Sequence, residues 1–113
     1  MLNKKKRVNK SLFGATLKKG SGYFSQNISL RTIKNSDSRP KFGVSVPKKE
    51  LKSAVKRNLL KRRVFSILRI FEPKISIGCN NVFFLKKGAL DLSYQQLQDE
   101  IVFLLKKAKL IRL

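Results

Sequence analysis

The stretch from Ser53 to Phe71 limits the fold more than any other part of the chain. Leu60, Val64, Ile67, Leu68 and Phe71 recur there at i, i+4, i+7, i+8 and i+11, the spacing of a helix with one buried stripe. Asn58, Arg62, Phe65 and Arg69 follow i, i+4, i+7 and i+11 on the side opposite that stripe. Pro73 closes the helix. One helix therefore offers a core face to the rest of the chain and a basic face to something outside it.

The basic face is dense. From Lys48 to Arg69, nine residues are basic: Lys48, Lys49, Lys52, Lys56, Arg57, Lys61, Arg62, Arg63 and Arg69. Nothing acidic falls between Lys52 and Arg69, whereas a merely solvated helix face mixes signs. The imbalance runs through the whole chain, whose 113 residues hold 27 Lys+Arg against 6 Asp+Glu, a net charge of +21. A compact chain with that charge repels itself and calls for a polyanion, either nucleic acid or an anionic membrane. A membrane-surface role needs a basic helix with its apolar face left for lipid. There is no Trp, and both long helices need their apolar stripes for the core. No run approaches the ~20 apolar residues of a membrane span. The basic segment Lys4 to Lys10 is not followed by the apolar run of a signal peptide. A cytoplasmic protein is expected.

Composition also narrows the chemistry. With no histidine, imidazole acid-base catalysis and the commonest metal ligand are absent. The one cysteine, Cys79, has no partner in the chain for a disulfide, which suits a reducing compartment. Of the acids Asp37, Glu50, Glu72, Asp91, Asp99 and Glu100, only the last two are neighbours, and adjacent helical positions do not share a face. A two-metal nuclease site needs several convergent carboxylates. Catalysis by this polypeptide alone is not expected, and no metal site is assigned to it.

The remaining elements follow from periodicity and punctuation. Residues 1–10 read as a flexible basic arm and 11–113 as a single domain, one that binds RNA if the polyanion is nucleic acid. A first helix is expected from Ser11 to Lys19, capped by Ser11 and ended by Gly20 and Gly22. Tyr23 to Lys34 reads as one strand, with Phe24, Ile28, Leu30 and Thr32 on one side. The turn Asn35-Ser36-Asp37-Ser38 leads to a second strand, Lys41 to Val46, and the two strands read as an antiparallel hairpin ended by Pro47. Phe42, Val44 and Val46 share one face of the second strand, and Gly43 and Ser45 the other. Asn80 to Leu85, led by Ile75 and Ile77, is apolar on both faces and belongs in the centre of a sheet. Gly88 to Asp91 is a loop. The last helix opens at Ser93 with Gln96 three residues on, a capping box, and buries Leu97, Ile101, Leu104, Leu105 and Ala108. The expected order is α-β-β-α-β-α, an α/β (α+β) two-layer sandwich around one small mixed sheet.

Two segments then resemble a known family. Phe42-Gly43-Val44-Ser45-Val46-Pro47-Lys48-Lys49, followed by Ala54-Val55-Lys56-Arg57-Asn58-Leu59-Leu60-Lys61-Arg62, is similar to the strand and Arg-Asn helix of bacterial ribonuclease P protein subunits. Phe13 with Gly20 resembles the family's first helix and loop, and Leu92-Ser93-Tyr94 the start of its last helix. The sequence departs from the family pattern at Leu59, where a second Arg is usual, at Phe65 and Ser66, which replace a common Arg-Glu pair, and at Leu17 and Arg31, where or near where aromatics are frequent.

The resemblance implies an enzyme that removes the 5′ leader of precursor tRNA. Its RNA subunit is the catalyst and holds the active-site Mg²⁺. The partners are then ribonuclease P RNA and precursor tRNA, with no membrane and no obligate protein partner. It also implies a left-handed β-α-β crossover, against the usual right-handed rule. For the RNA subunit the candidates are Lys48, Lys49, Arg57, Asn58, Lys61, Arg62 and Arg69. Guanidinium groups bind phosphate bidentately, and Asn58 can donate to a base or a 2′-OH or serve the local backbone instead. For the leader the candidates are Phe13, Leu17, Lys18, Arg31 and Ser45, with Ile28 and Leu30 suiting the core better than the cleft. Phe13 and Leu17 fit either an apolar platform for a single strand or ordinary core packing. The competing reading is a ribosomal or rRNA-binding structural protein, which has no reason to carry the strand, Lys-Lys and Arg-Asn-helix arrangement.

Overall fold

The structure, a computed structural model, describes residues 7–8, 10–36, 39–75 and 78–111. Its elements run α1 (Lys10–Lys19), β1 (Ser21–Phe24), β2 (Ile28–Lys34), β3 (Lys41–Ser45), α2 (Ala54–Phe71), β4 (Cys79–Leu85) and α3 (Tyr94–Lys107). Short 3-10 turns follow α2 at Glu72–Lys74 and β4 at Lys87–Asp91, the second where a loop is expected. The order is thus α-β-β-β-α-β-α, one strand more than the sequence suggests. Residues 1–6 and 9 of the expected arm, the Ser11 side chain expected to cap α1, Asp37 and Ser38 of the expected turn, and Ile77 lie outside the described residues.

The extra strand comes from a break inside Tyr23–Lys34. Ser25 to Asn27 form a turn in which the Ser25 backbone N–H donates to the Ile28 carbonyl at 2.9 Å. β1 and β2 then pair antiparallel, Tyr23 opposite Leu30 and Phe24 opposite Ser29. The turn reverses the expected facing: Tyr23 packs on the core, while Phe24 stands 63% exposed on the reverse face. What fixes the turn is distant in sequence. One carboxylate oxygen of Glu100, on α3, accepts from the Ser25 hydroxyl at 2.5 Å and the Asn27 backbone N–H at 2.6 Å. Hydrogen bonds to a charged acceptor contribute more than those to a neutral one. Glu100→Gln keeps an acceptor and loses the charge, so it should cost about 1–2 kcal/mol, read as a fall in melting temperature of about 4–8 °C per kcal/mol. A melting temperature equal to that of the parent would show the clamp to be dispensable.

The expected hairpin between β2 and β3 is not formed. The sheet order is β1-β2-β4-β3. β4 lies antiparallel to β2 and parallel to β3, so β3 and β4 are joined by a β-α-β crossover through α2. The reason is burial. β4 is buried along nearly its whole length, and a β2–β3 hairpin would leave this most apolar strand at an edge.

Ile28, Leu30, Phe42, Phe83 and Leu85 point to one face of the sheet, where Leu60, Val64, Ile67 and Leu68 of α2 and Leu97, Ile101, Leu104 and Leu105 of α3 complete the core. Ile28 and Leu30 are therefore core residues and not part of a cleft. Ser53 caps α2, its side chain accepting from the Lys56 N–H, and the Ser93/Gln96 capping box opens α3 as expected. α1 lies on the reverse face, with Thr16 and Val82 fully buried there.

Asn81, fully buried, ties three strands together: it accepts from the Thr32 hydroxyl at 2.6 Å and donates to the Lys41 carbonyl and the Cys79 sulfur. Burial pushes the Cys79 thiol pKa up, against smaller lowering effects of hydrogen bonds with Asn81 and Thr32. The folded chain then keeps its thiol proton at a pH where the unfolded chain loses it, so stability is full below the ordinary thiol range and falls as pH rises from there through the raised folded value. Native protein should react with iodoacetamide far more slowly than denaturant-unfolded protein; equal rates would contradict the burial.

Candidate nucleic-acid interface

The reverse face of the sheet carries rows of residues running across the strands, two of which concern the site. Pairing aligns Phe24, Ser29, Phe84 and Ser45 in one row, and Gly22, Arg31, Val82 and Gly43 in the next. α1 covers the second row. A Cβ on Gly43 would lie in ordinary van der Waals contact, 3.6 Å from both the Phe13 ring and Val82, so α1 packs closely over this row. Phe13 meets Phe84 edge to face, with ring centroids 5.9 Å apart at 66°. The first row stays open beside it: Phe24 is exposed, and Ser29, Phe84 and Ser45 are half-buried. Aromatic rings set among small side chains form a platform on which bases can stack.

Arg31 is half-buried on the same face. Its Nη1 donates to the carbonyls of Leu17 at 3.4 Å and Gly20 at 3.3 Å, which satisfies the end of α1. Leu17 is partly exposed and Lys18 exposed on α1. The structure thus brings Phe13, Arg31 and Ser45 to one surface and adds Phe24 and Phe84, which the sequence leaves as core or rim. Adjacent Phe83 and Phe84 in a strand face opposite ways, so one of them had to lie on the reverse face; the reversed facing of β1 hid Phe24.

The basic residues divide by role. Lys48 and Lys49 are exposed in the turn after β3, where the Glu50 N–H donates to the Pro47 carbonyl. Asn58 and Arg62 are exposed and Lys61 is half-buried on α2. Arg69 is exposed in the last turn of α2. Arg57 differs from these. Its Nη1 donates to the carbonyls of Leu51 at 2.8 Å and Lys52 at 2.7 Å, fastening the segment that leads into the helix. The Asn58 side chain has no hydrogen bond among the described residues, so its backbone-serving role finds no support. Phe65 does not belong to the basic stripe: it is buried, with the Arg7 guanidinium 4.7 Å from its ring centroid. Arg7 and Val8 run beside β3, and the Val8 N–H donates to the Phe42 carbonyl at 2.8 Å.

These parts meet in a cavity of about 340 Å³ along the outer edge of β3, which Arg7 and Val8 flank. Phe13 of α1, Arg7, and Asn58, Lys61, Arg62 and Phe65 of α2 all line it. The aromatic platform and the basic helix therefore border one continuous region. No helix among the described residues is long and apolar enough to cross a membrane.

A basic helix bordering an aromatic sheet face defines a nucleic-acid-binding module of mixed α+β fold. The family model for ribonuclease P matches residues 2–109. A ribonuclease P protein component of Microcystis aeruginosa is 31% identical over 103 residues, covering 88% of this chain and 86% of that relative. One of Finegoldia magna is 33% identical over 96 residues, covering 85% and 83%. Among solved structures, a Staphylococcus aureus RNase P protein mutant with defective mRNA degradation activity aligns with a TM-score of 0.87 at 26% identity, over 96% of this chain and 92% of that one. The chain belongs to the ribonuclease P protein family, and a ribosomal or rRNA-binding structural role is not favoured.

Proposed function

We propose that this chain is the protein subunit of a cytoplasmic ribonuclease P whose catalyst is RNA. It binds that RNA along the turn after β3 and the start of α2. It holds the 5′ leader of precursor tRNA against the platform of Phe13, Phe24, Phe84, Ser29 and Ser45. By fixing both it promotes hydrolysis of the phosphodiester that joins leader to tRNA. It needs no obligate protein partner. The observation that carries the reading is the junction itself: Phe13 of the platform and Asn58, Lys61 and Arg62 of the helix line the same cavity. One protein can there touch a single strand and a structured RNA at once.

The acids among the described residues do not fit a magnesium site. Glu100 is engaged by Ser25 and Asn27, and Asp99 accepts from Gln95. Glu50, Glu72 and Asp91 stand on separate elements, and no group of three potential ligands gathers among the described residues. The reading leaves Mg²⁺ with the RNA, and no step runs through a metal on this chain.

The test is reconstitution at low Mg²⁺ with a bacterial ribonuclease P RNA and precursor tRNA, mapping 5′ ends. RNA plus protein should release mature tRNA, and protein alone should leave the precursor intact. Site-specific cleavage by RNA-free protein, or no stimulation of the RNA, would overturn the proposal.

A further inference from the structure

A second cavity lies at the end of the sheet remote from the start of α2. β4 begins there, Cys79 opposite the end of β2 at Lys34 and Asn80 opposite the start of β3 at Lys41. α2 starts only after β3 has run to the other end, at Ser45 opposite Phe84. The cavity holds about 460 Å³. Three lysines line it, Lys19, Lys34 and Lys109, together with the hydroxyl residues Ser21 and Tyr23 and the apolar Leu110. No acidic residue lines it among the described residues.

Helix dipoles account for part of this. Lys19 lies in the last turn of α1 and Lys109 just past α3, where a cation is favoured. They do not account for Lys34, at the end of a strand, nor for the backbone of Lys109. α3 ends with the Lys109 N–H donating to the Lys106 carbonyl and the Leu110 N–H to the Leu105 carbonyl, both at 2.9 Å, the Schellman closure. This closure places Lys109 at φ 60°, the one positive φ of a non-glycine residue among the described residues. Glycine is the favoured residue there because it has no Cβ to clash. A lysine in its place lines the cavity at the expense of backbone comfort.

We propose that this cavity binds a nucleotide by its phosphate. The ammonium groups of Lys19, Lys34 and Lys109 neutralise the phosphate, the hydroxyls of Ser21 and Tyr23 donate to its oxygens, and Leu110 offers an apolar wall to the base. The volume suits a ligand larger than a bare phosphate ion. The nucleotide is either free or one unit of an RNA strand, and the site stands apart from the ribonuclease P reading.

Calorimetry of the full chain at physiological salt tests this, with adenosine 5′-monophosphate and a 5′-phosphorylated single-stranded tetraribonucleotide as probes. Lys34→Gln and Lys109→Gly should each weaken binding about tenfold, as expected for removal of a charge-assisted hydrogen bond. Lys107→Gln, an equal loss of charge nearby at a residue outside the cavity lining, should leave binding unchanged. Lys109→Gly should melt no lower than the parent, because glycine relieves the left-handed strain, which separates loss of binding from loss of fold. Lys34-dependent binding of the monophosphate identifies a free nucleotide, and such binding of the tetranucleotide alone identifies an RNA strand; both support the site. Equal weakening by all three variants, or binding of neither probe, overturns it.

Discussion

Converting Lys61 and Arg62 together to alanine should weaken binding of ribonuclease P RNA by roughly 10- to 100-fold at low salt, the scale of one to two charge-assisted hydrogen bonds. The salt dependence should flatten as well. Each phosphate that the protein no longer neutralises takes roughly 0.7 to 0.9 off the log–log slope, so the pair should lower it by about 1.4 to 1.8 if both groups touch phosphate. The helix should survive, since alanine is the best helix former and neither residue lies in the Leu60, Val64 and Leu68 core. Arg57 is a poorer probe of the same idea. Its guanidinium fastens the carbonyls of Leu51 and Lys52, so its removal loosens the entry to α2 and mixes stability with affinity. Filter binding over a salt series, with melting temperatures alongside, separates these effects. Unchanged affinity and slope in a folded double variant would place the RNA elsewhere.

What was legible in the sequence was what sequence encodes locally. The α2 stripe and the α3 capping box depend on residues within a turn or two of each other, and both are as expected; the Ser53 cap of α2 is equally local. The central place of β4 followed from its being apolar on both faces. The partner of β3 did not follow, because strand pairing is decided by which arrangement buries β4, and no local signal carries that. The break after Phe24 was hidden for a related reason: the turn is held by Glu100, more than seventy residues along the chain. That one turn reversed the facing of β1, placed Tyr23 on the core and moved Phe24 onto the open platform. Exposure was readable on a helix of clear period, where Asn58, Arg62 and Arg69 stand exposed and Lys61 half-buried. Spacing also put Phe65 among them, although it lies beneath Arg7, because a residue at the border of a stripe is buried or exposed according to what packs over it.

The leader platform makes the sharpest separable prediction. Stacking a base on an aromatic ring contributes roughly 1–3 kcal/mol, so removing a ring that holds the leader should weaken precursor tRNA binding by about 5- to 150-fold. Phe13→Ala alone would leave a doubt, since its ring also packs edge to face on Phe84, an interaction of about 0.5–1.5 kcal/mol beyond area burial, and a core phenylalanine costs about 3–5 kcal/mol when truncated. Phe24→Ala removes that doubt. Phe24 is 63% exposed in β1, so its loss should leave the melting temperature nearly unchanged. If the platform binds the leader, both variants should weaken holoenzyme affinity for leader-bearing tRNA and leave affinity for mature, leader-less tRNA almost untouched. If Phe13 is only packing, its variant should lose affinity for both ligands equally, in step with a fall in melting temperature, while Phe24→Ala changes neither. Binding of the two tRNAs to parent and variant holoenzymes decides between these outcomes, because Phe24 has little core to lose.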